Sequence, residues 1–434
     1  MRIENCTYRL RPEPCASWLE AIAKPFAEGL GEHAYPLRLS LVEASASSVT
    51  IEATVVRFSQ DEPHAAALAE VELLNPRRRT HPSQPFCVAQ IVPTGVRCEF
   101  GGYAGDASPV TNLLASVADF LVTHPNAVNA SELNEMADNV LYVEGKALDD
   151  FLLGHVGLAP VSCNRIGTFV DPTGIDHLDY VINTLNAART VKGVSCELYT
   201  VLEKQLGVQI EWSGTGCAVG TVLAPEAILN AVAKLLQQKV EAVGGVSVIH
   251  GVTKEMFTRH MSGEIPNPSG GVEAIITHLI TKLFRIPCAH APLPYYQSMK
   301  GSQTGNPRAA AEFISTPHYY CVLKGLSRAP HLLSIQSPEQ TPSQVITINN
   351  IGAVVTPASC LGGIPALAAE YHGIPLIAVR ENRTVLDVTN DRMGMKNVIE
   401  VNSYLEAVGV ILALRKGISV ASLRRPICGA RRVN

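Results

Sequence analysis

Apolar and polar side chains alternate along Leu37–Ala44 and again along Ser48–Phe58, the period-two pattern of half-buried strands. Pro63–Leu74 fits either a third strand or a short helix. The segment Asn75–Pro85 is polar and punctuated by prolines, so it reads as a linker, with Arg77–Arg79 as a solvated turn. Residues 1–85 are therefore expected to form a small α+β domain.

Past the linker the pattern changes. Short apolar runs at Phe86–Val92, Asp119–Thr123, Val140–Val143, Arg165–Val170, Val208–Trp212, Val246–Ile249, Ala353–Thr356 and Leu376–Val379 read as strands. Helical sequence intervenes. Its clearest stretch follows Ser269, a suitable N-cap, with Val272, Ile275, Ile276, Leu279, Ile280, Leu283 and Phe284 recurring at three-and-four spacing. Further helices are expected from Pro225 and over Gly363–Tyr371. The alternation predicts an α/β fold with a doubly wound, mostly parallel sheet. It is drawn as two Rossmann-like lobes, 86–250 and 251–434, with a cleft between them. Such sheets bind ligands at the carboxyl ends of their strands, where the glycine-rich loops of this chain fall.

Composition narrows the function. Apolar residues make up 47% of the 434 and charged residues 17%, which suits strands covered on both faces and leaves room for a homo-oligomer interface. A net charge of −4 and only 6% aromatics, with no basic stripe, argue against nucleic acid. No apolar run is long enough to span a membrane. The eleven cysteines form no C-x-x-C pair, so they are expected to be reduced thiols in the cytoplasm. Zinc-protease, P-loop and nucleophile-elbow motifs are missing. No metal or cofactor is expected, and the partner is expected to be a small anionic metabolite.

Five stretches carry candidate chemistry. In Pro93–Asp106, glycines 95, 101, 102 and 105 could free backbone N–H groups for an anion, with Thr94 and Asp106 as polar contacts. A tight strand-to-helix connection is the plainer alternative. Thr123-His124-Pro125-Asn126 and Asn129 follow a strand directly. His124 there is the candidate acid or base and Asn126 and Asn129 the orienting groups, against a proline-fixed turn. Gly214, Thr215 and Gly216 open a third loop. With Gly220 it misses the dinucleotide fingerprint by one residue, and the next strand closes at His250 instead of an acid. A phosphate or carboxylate cradle and plain packing both remain open for it. The polar stretch His250–Ser269 reads as a lid or substrate loop. Downstream, His318 and Lys324 are either catalytic or part of a surface hairpin, and Cys288 and His290 could join a metal site that no nearby pair completes.

The last stretch is Thr356-Pro-Ala-Ser-Cys-Leu-Gly-Gly363, with Glu370 on the following helix. It resembles the C-terminal half of nucleotide-sugar glycosyltransferases and epimerases, where a Ser-x-x-Gly-Gly loop cradles phosphates; Gly362 and Gly363 would do so here. It also resembles aspartate/glutamate racemase-type enzymes, in which a strand-end cysteine abstracts a proton. That makes Cys360 a candidate nucleophile or base at a helix start, although Leu361 stands where that pattern has threonine. A buried apolar thiol is the alternative.

Over most of the chain after the linker, a broader resemblance rests on Pro93-Thr-Gly95, Gly101-Gly-Tyr-Ala-Gly-Asp106, Thr123-His-Pro-Asn126, Asn129 and Tyr142-Val-Glu-Gly145. These residues resemble an uncharacterised bacterial family, common in cyanobacteria, with no assigned reaction. The expectation is a small-molecule enzyme moving a proton beside a carboxylate, as an isomerase, racemase or lyase. Glycosyl transfer from a sugar nucleotide and non-catalytic ligand sensing are the alternatives.

Overall fold

The computed structural model describes residues 1–45, 47–69, 74–77, 79, 82–130, 135–293, 307–309, 318–335, 342, 344–427, 429–430 and 432. Two parallel sheets organise the chain. The larger has six strands in the order Val398–Val401, Leu376–Val379, Ile351–Pro357, Cys87–Gln90, Phe120–Thr123 and Val140–Tyr142. The smaller has four: Cys288–Pro292, Ala242–Ser247, Arg165–Val170 and Ser195–Val201. All pairings within both are parallel. Central strands such as Cys87–Gln90, Ala242–Ser247 and Leu376–Val379 are buried at every position, as strands covered on both faces must be. In the larger sheet the strand order reverses between Cys87–Gln90 and Ile351–Pro357, so the crevice of a doubly wound fold lies at their carboxyl ends.

The α/β class is the expected one, but the lobes are interleaved in sequence. The larger sheet takes strands from 87–142 and again from 351–401, and the smaller sheet is built from the chain between them. A boundary at 250/251 would separate Ala242–Ser247 from its paired neighbour Cys288–Pro292. A linear reading of periodicity cannot see that a chain leaves one sheet and returns to finish it.

Before both sheets comes a three-stranded antiparallel sheet, Arg2–Leu10, Val49–Arg57 and Ala34–Ala44, with Val49–Arg57 in the middle. Helix Trp18–Leu30 is capped by the Ser17 hydroxyl and buries Leu19, Ile22, Phe26 and Leu30. The apolar face of this unit is continuous with the main core, since Ile51 and Val55 share one cluster with Leu152, Ile275 and Leu367.

Of the two alternatives for Pro63–Leu74 the structure has the short helix, Ala65–Ala69, while 70–73 lie outside the described residues. Three local expectations change. Arg77 and Arg79 are not on a solvated turn: the Arg77 amide bonds Leu153 O at 2.8 Å and the Arg79 guanidinium bonds Ile351 O at 2.7 Å. The region proposed as a hairpin is helix His318–Ser327; 302–306 and 315–317 are outside the described residues. The strand expected at 246–249 begins earlier, at Ala242, and includes Gly244 and Gly245. A Cβ on those glycines would stand 2.4 Å from the Tyr319 hydroxyl and 2.2 Å from the Phe169 ring, so they serve close packing and do not break the strand.

Candidate functional site

A cavity of about 190 Å³ opens where strand ends of the two sheets meet. The larger sheet contributes the segments after Cys87–Gln90, Phe120–Thr123 and Val140–Tyr142; the smaller contributes Cys288–Pro292. Helices Lys254–Met261 and Gly270–Phe284 complete the wall. The second helix divides cleanly. Its apolar stripe, including Val272, Ile275, Ile276, Leu279 and Ile280, enters the core, while Glu273, Ala274, Thr277 and His278 line the cavity. Residues spaced by four lie one above another on a helix, so Glu273 with Thr277 and Ala274 with His278 form two short columns on one face.

His278 is held by Glu144, which follows strand Val140–Tyr142. Nδ1 of the imidazole donates to Glu144 Oε1, and the Thr277 hydroxyl donates to the same oxygen at 2.8 Å. Oε2 caps helix Gly145–Leu152 by accepting from the amides of Lys146 (2.7 Å) and Ala147 (3.2 Å). Burial disfavours the Glu144 charge more than any other single influence. The His278 ring and these hydrogen bonds together outweigh it, and the carboxyl is held below its ordinary range. Glu144 takes the Nδ1–H of His278, so a neutral imidazole there carries its lone pair on Nε2. Gly145 makes the contact sterically feasible: a Cβ there would stand 2.8 Å from His278 Cε1.

A second carboxylate–imidazole pair has the reverse arrangement. His290, 6% exposed, has both ring nitrogens engaged, Nδ1 with Glu273 at 3.2 Å and Nε2 with the Ser247 hydroxyl at 2.9 Å. Both members of the pair line the cavity, and the Glu273 side chain is the more exposed of the two.

His124 lies where the sequence put it, at the end of Phe120–Thr123, and lines the cavity. Its Nε2 accepts the Val92 amide at 2.8 Å. A backbone N–H can only donate, so the proton of the neutral ring sits on Nδ1. Burial pushes the His124 pKa down to about 4, partly offset by Glu144 and reinforced by His278. At neutral pH this side chain is a hydrogen-bond donor, and its lone pair is already committed.

The two glycine loops expected to hold an anion each hold a carboxylate of the protein itself. Asp106 Oδ1 accepts from the amides of Gly101 and Tyr103, while Oδ2 pairs with Arg308 at 2.8 Å. Burial raises the Asp106 pKa to about 6 against the pull of Arg308. Gly101, at φ 91°, brings the loop against Val92, and Gly102 and Thr94 reach the cavity wall. Gly214, Thr215 and Gly216 form the turn between strands Gln209–Trp212 and Ala218–Thr221, and the Thr215 amide and hydroxyl bond buried Glu52 at 3.3 and 3.0 Å. None of these three lines the cavity. Asn126 does, but Nδ2 is occupied by Val92 O (3.1 Å) and Gly101 O (3.0 Å), so it staples the loop. Asn129 also lines it, its Oδ1 accepting from Tyr142 Oη at 3.0 Å.

Cys360 is away from this wall. Its thiol, 6% exposed as a residue, meets Thr384 Oγ1 at 3.2 Å, and burial pushes the pKa up to about 12. The neighbouring Gly362 and Gly363 pack on the N-terminal sheet: Leu41 N bonds Gly362 O at 2.9 Å, and Ser40 bridges Gly363. The stretch proposed as a lid supplies Phe257, His260, Met261, Asn267 and Ser269 to the cavity, and His318 also reaches it. Among the described residues no three His, Cys, Asp or Glu side chains are grouped to hold a metal.

Sequence reasoning missed Glu144, Glu273 and His278 as functional residues. The available signal was the polar set 273, 277 and 278 on one face of an otherwise apolar helix, and Glu144 within the family's own pattern.

The model of the family described as "Protein of unknown function (DUF3326)" matches residues 87–424. An uncharacterised lipoprotein of Synechococcus sp. (strain ATCC 27144) is 36% identical over 335 residues, which are 77% of this chain and 92% of that protein. No solved structure matches the chain.

Proposed function

Because the chain belongs to the family of unknown function DUF3326, whose matched region holds every cavity residue from Thr94 to Val322, we propose that this cavity is the family's active site. The reaction we assign to it is proton transfer at a carbon beside a carbonyl or carboxylate of a small metabolite. One observation carries the reading: His278, bonded through Nδ1 to Glu144, lines the same cavity as His124, whose own Nε2 is taken by the Val92 amide.

In this reading Nε2 of His278 removes the proton, and Glu144 stabilises the imidazolium that forms. Negative charge develops on the substrate oxygen and takes a hydrogen bond from Nδ1–H of His124. A neutral imidazole suits that role because its acidity is closer to that of an enol than an imidazolium's would be. The first turn of helix Gly270–Phe284 opens on the cavity at Ser269 and Gly270, and its dipole favours a carboxylate end of the metabolite.

The test is exchange in heavy water. Wild-type protein incubated with a panel of small hydroxy, keto and amino acids should replace the proton beside the carboxyl or carbonyl group with deuterium, read by proton NMR. His278→Gln should abolish the exchange. If ligands raise the melting temperature without any exchange, the site senses a metabolite and catalyses nothing.

A further inference from the structure

Resting on that reading, we infer that Glu273 is a second catalytic acid–base group and that the reaction is a β-elimination from a small β-hydroxy carbonyl compound. Glu273 and His278 line the same cavity from one helix, five residues apart, with a rise of roughly 7.5 Å along its axis and a turn of roughly 140° about it. A racemase needs its two groups on opposite faces of a single carbon. Two groups separated by that rise instead reach different atoms of one substrate, which serves an elimination: a base at the carbon that loses its proton and an acid at the oxygen that leaves.

The Ser247–His290–Glu273 chain is built to supply that acid. Both ring nitrogens of His290 are held, Nδ1 by Glu273 and Nε2 by the Ser247 hydroxyl. With His290 as imidazolium, Nδ1–H faces the Glu273 carboxylate and Nε2–H donates to Ser247 Oγ. The Nδ1 proton passes to Glu273 and from it to the leaving oxygen, and His290 is left neutral with its remaining proton on Nε2, where Ser247 accepts it. Serine and imidazole are positioning residues here, and Glu273 is the group that touches substrate.

The step balances. The C–H bond breaks with its proton going to Nε2 of His278, and its electron pair forms the C=C bond. The C–O bond of the β-hydroxyl breaks, the oxygen keeps that electron pair, and the proton delivered through Glu273 makes it water. An α,β-unsaturated carbonyl compound remains, with no oxidant or co-reactant consumed.

The experiment follows two readouts on the same panel of β-hydroxy acids and ketones: deuterium entry beside the carbonyl and ultraviolet absorbance of the conjugated product. Wild type should give both. Glu273→Gln should lower the ratio of elimination to exchange about 100-fold or more, and His278→Gln should lose both. Ser247→Ala leaves the cavity wall unchanged and should slow elimination less than Glu273→Gln, with the pH dependence of elimination displaced and that of exchange unmoved. If Glu273→Gln does not fold, that displacement in Ser247→Ala decides the matter alone. Wild-type exchange without elimination, or unimpaired elimination in Glu273→Gln, overturns the inference and leaves His278 as the base. Absence of both activities in the wild type overturns the underlying reading as well.

Discussion

The two halves of the six-stranded sheet end at the same carboxyl edge and do different work. After Cys87–Gln90, Phe120–Thr123 and Val140–Tyr142 come Gly102, His124, Asn126 and Glu144, all on the cavity wall. After Ile351–Pro357 and Leu376–Val379 come Cys360, Gly362, Asn382 and Thr384, none of which reaches it. Strand ends at a switch point are the usual place for a ligand, and here the cavity lies against one side of it. What decides between them is the covering layer: Leu41 of the N-terminal sheet lies on Gly362, while the first half is left facing the smaller sheet.

The largest expected effect breaks the open side. Glu144→Gln puts an amide where the His278 proton is anchored, and the imidazole is then free to take the wrong tautomer, as an aspartate-to-asparagine change does in a serine-protease triad. Exchange should fall about 10³-fold. Steady-state rates on any substrate that the panel identifies check this, with a melt to show that the helix after Glu144 still forms. A rate within a few-fold of wild type would remove His278 from the role of base.

The closed side should respond in stability instead. A Cβ at Gly362 would stand 2.2 Å from Leu41 O, so Gly362→Ala must push the N-terminal sheet off the strand ends. The cost should be roughly 3 kcal/mol, read by denaturant unfolding. Cys360→Ala is the sharper control. It removes a buried thiol whose acidity is suppressed, so it should lower stability by about 1 kcal/mol and leave exchange unchanged. Alkylation of the native protein should label exposed Cys15 and Cys163 and spare Cys360. Loss of exchange in Cys360→Ala would return the chemistry to the closed side.

Local features of this architecture were legible in the sequence, and the tertiary ones were not. The alternation of strands and helices gave the α/β class, and strand-end position selected His124, Thr94 and Gly102, which lie on the cavity wall. The same rule also selected Cys360 and Gly214–Gly216, because nothing in a strand and its loop records what lies on top of them. Glu52 beneath Thr215 and Leu41 on Gly362 come from an N-terminal unit more than 150 residues away in the chain. Glycine loops were read as anion cradles without a means of seeing that Asp106 and Glu52 already fill them. The site's two carboxylate–imidazole pairs each join residues from different elements, Glu144 with His278 and Glu273 with His290, and only folding brings them together.

The last effect tests the protonation state on which the open side depends. Burial favours neutral His124 in the fold, with a pKa of about 4 against an ordinary 6.5. Below the ordinary value the unfolded chain binds a proton that the folded protein refuses, so acidification through this window favours unfolding. Between pH 7 and pH 5 this costs the wild type about 2 kcal/mol of stability. Asp106 has the opposite sign, because its raised pKa makes the folded protein bind protons more readily as pH falls toward its ordinary value. That contribution is common to wild type and variant and cancels in a comparison of the two. His124→Gln keeps an amide hydrogen for the substrate side and removes the titrating ring. Its unfolding free energy should therefore drop by about 2 kcal/mol less than wild type over the same interval. Parallel stability curves for the two proteins would mean that His124 titrates in the fold as it does in the unfolded chain, and burial would not then be what holds it neutral opposite His278.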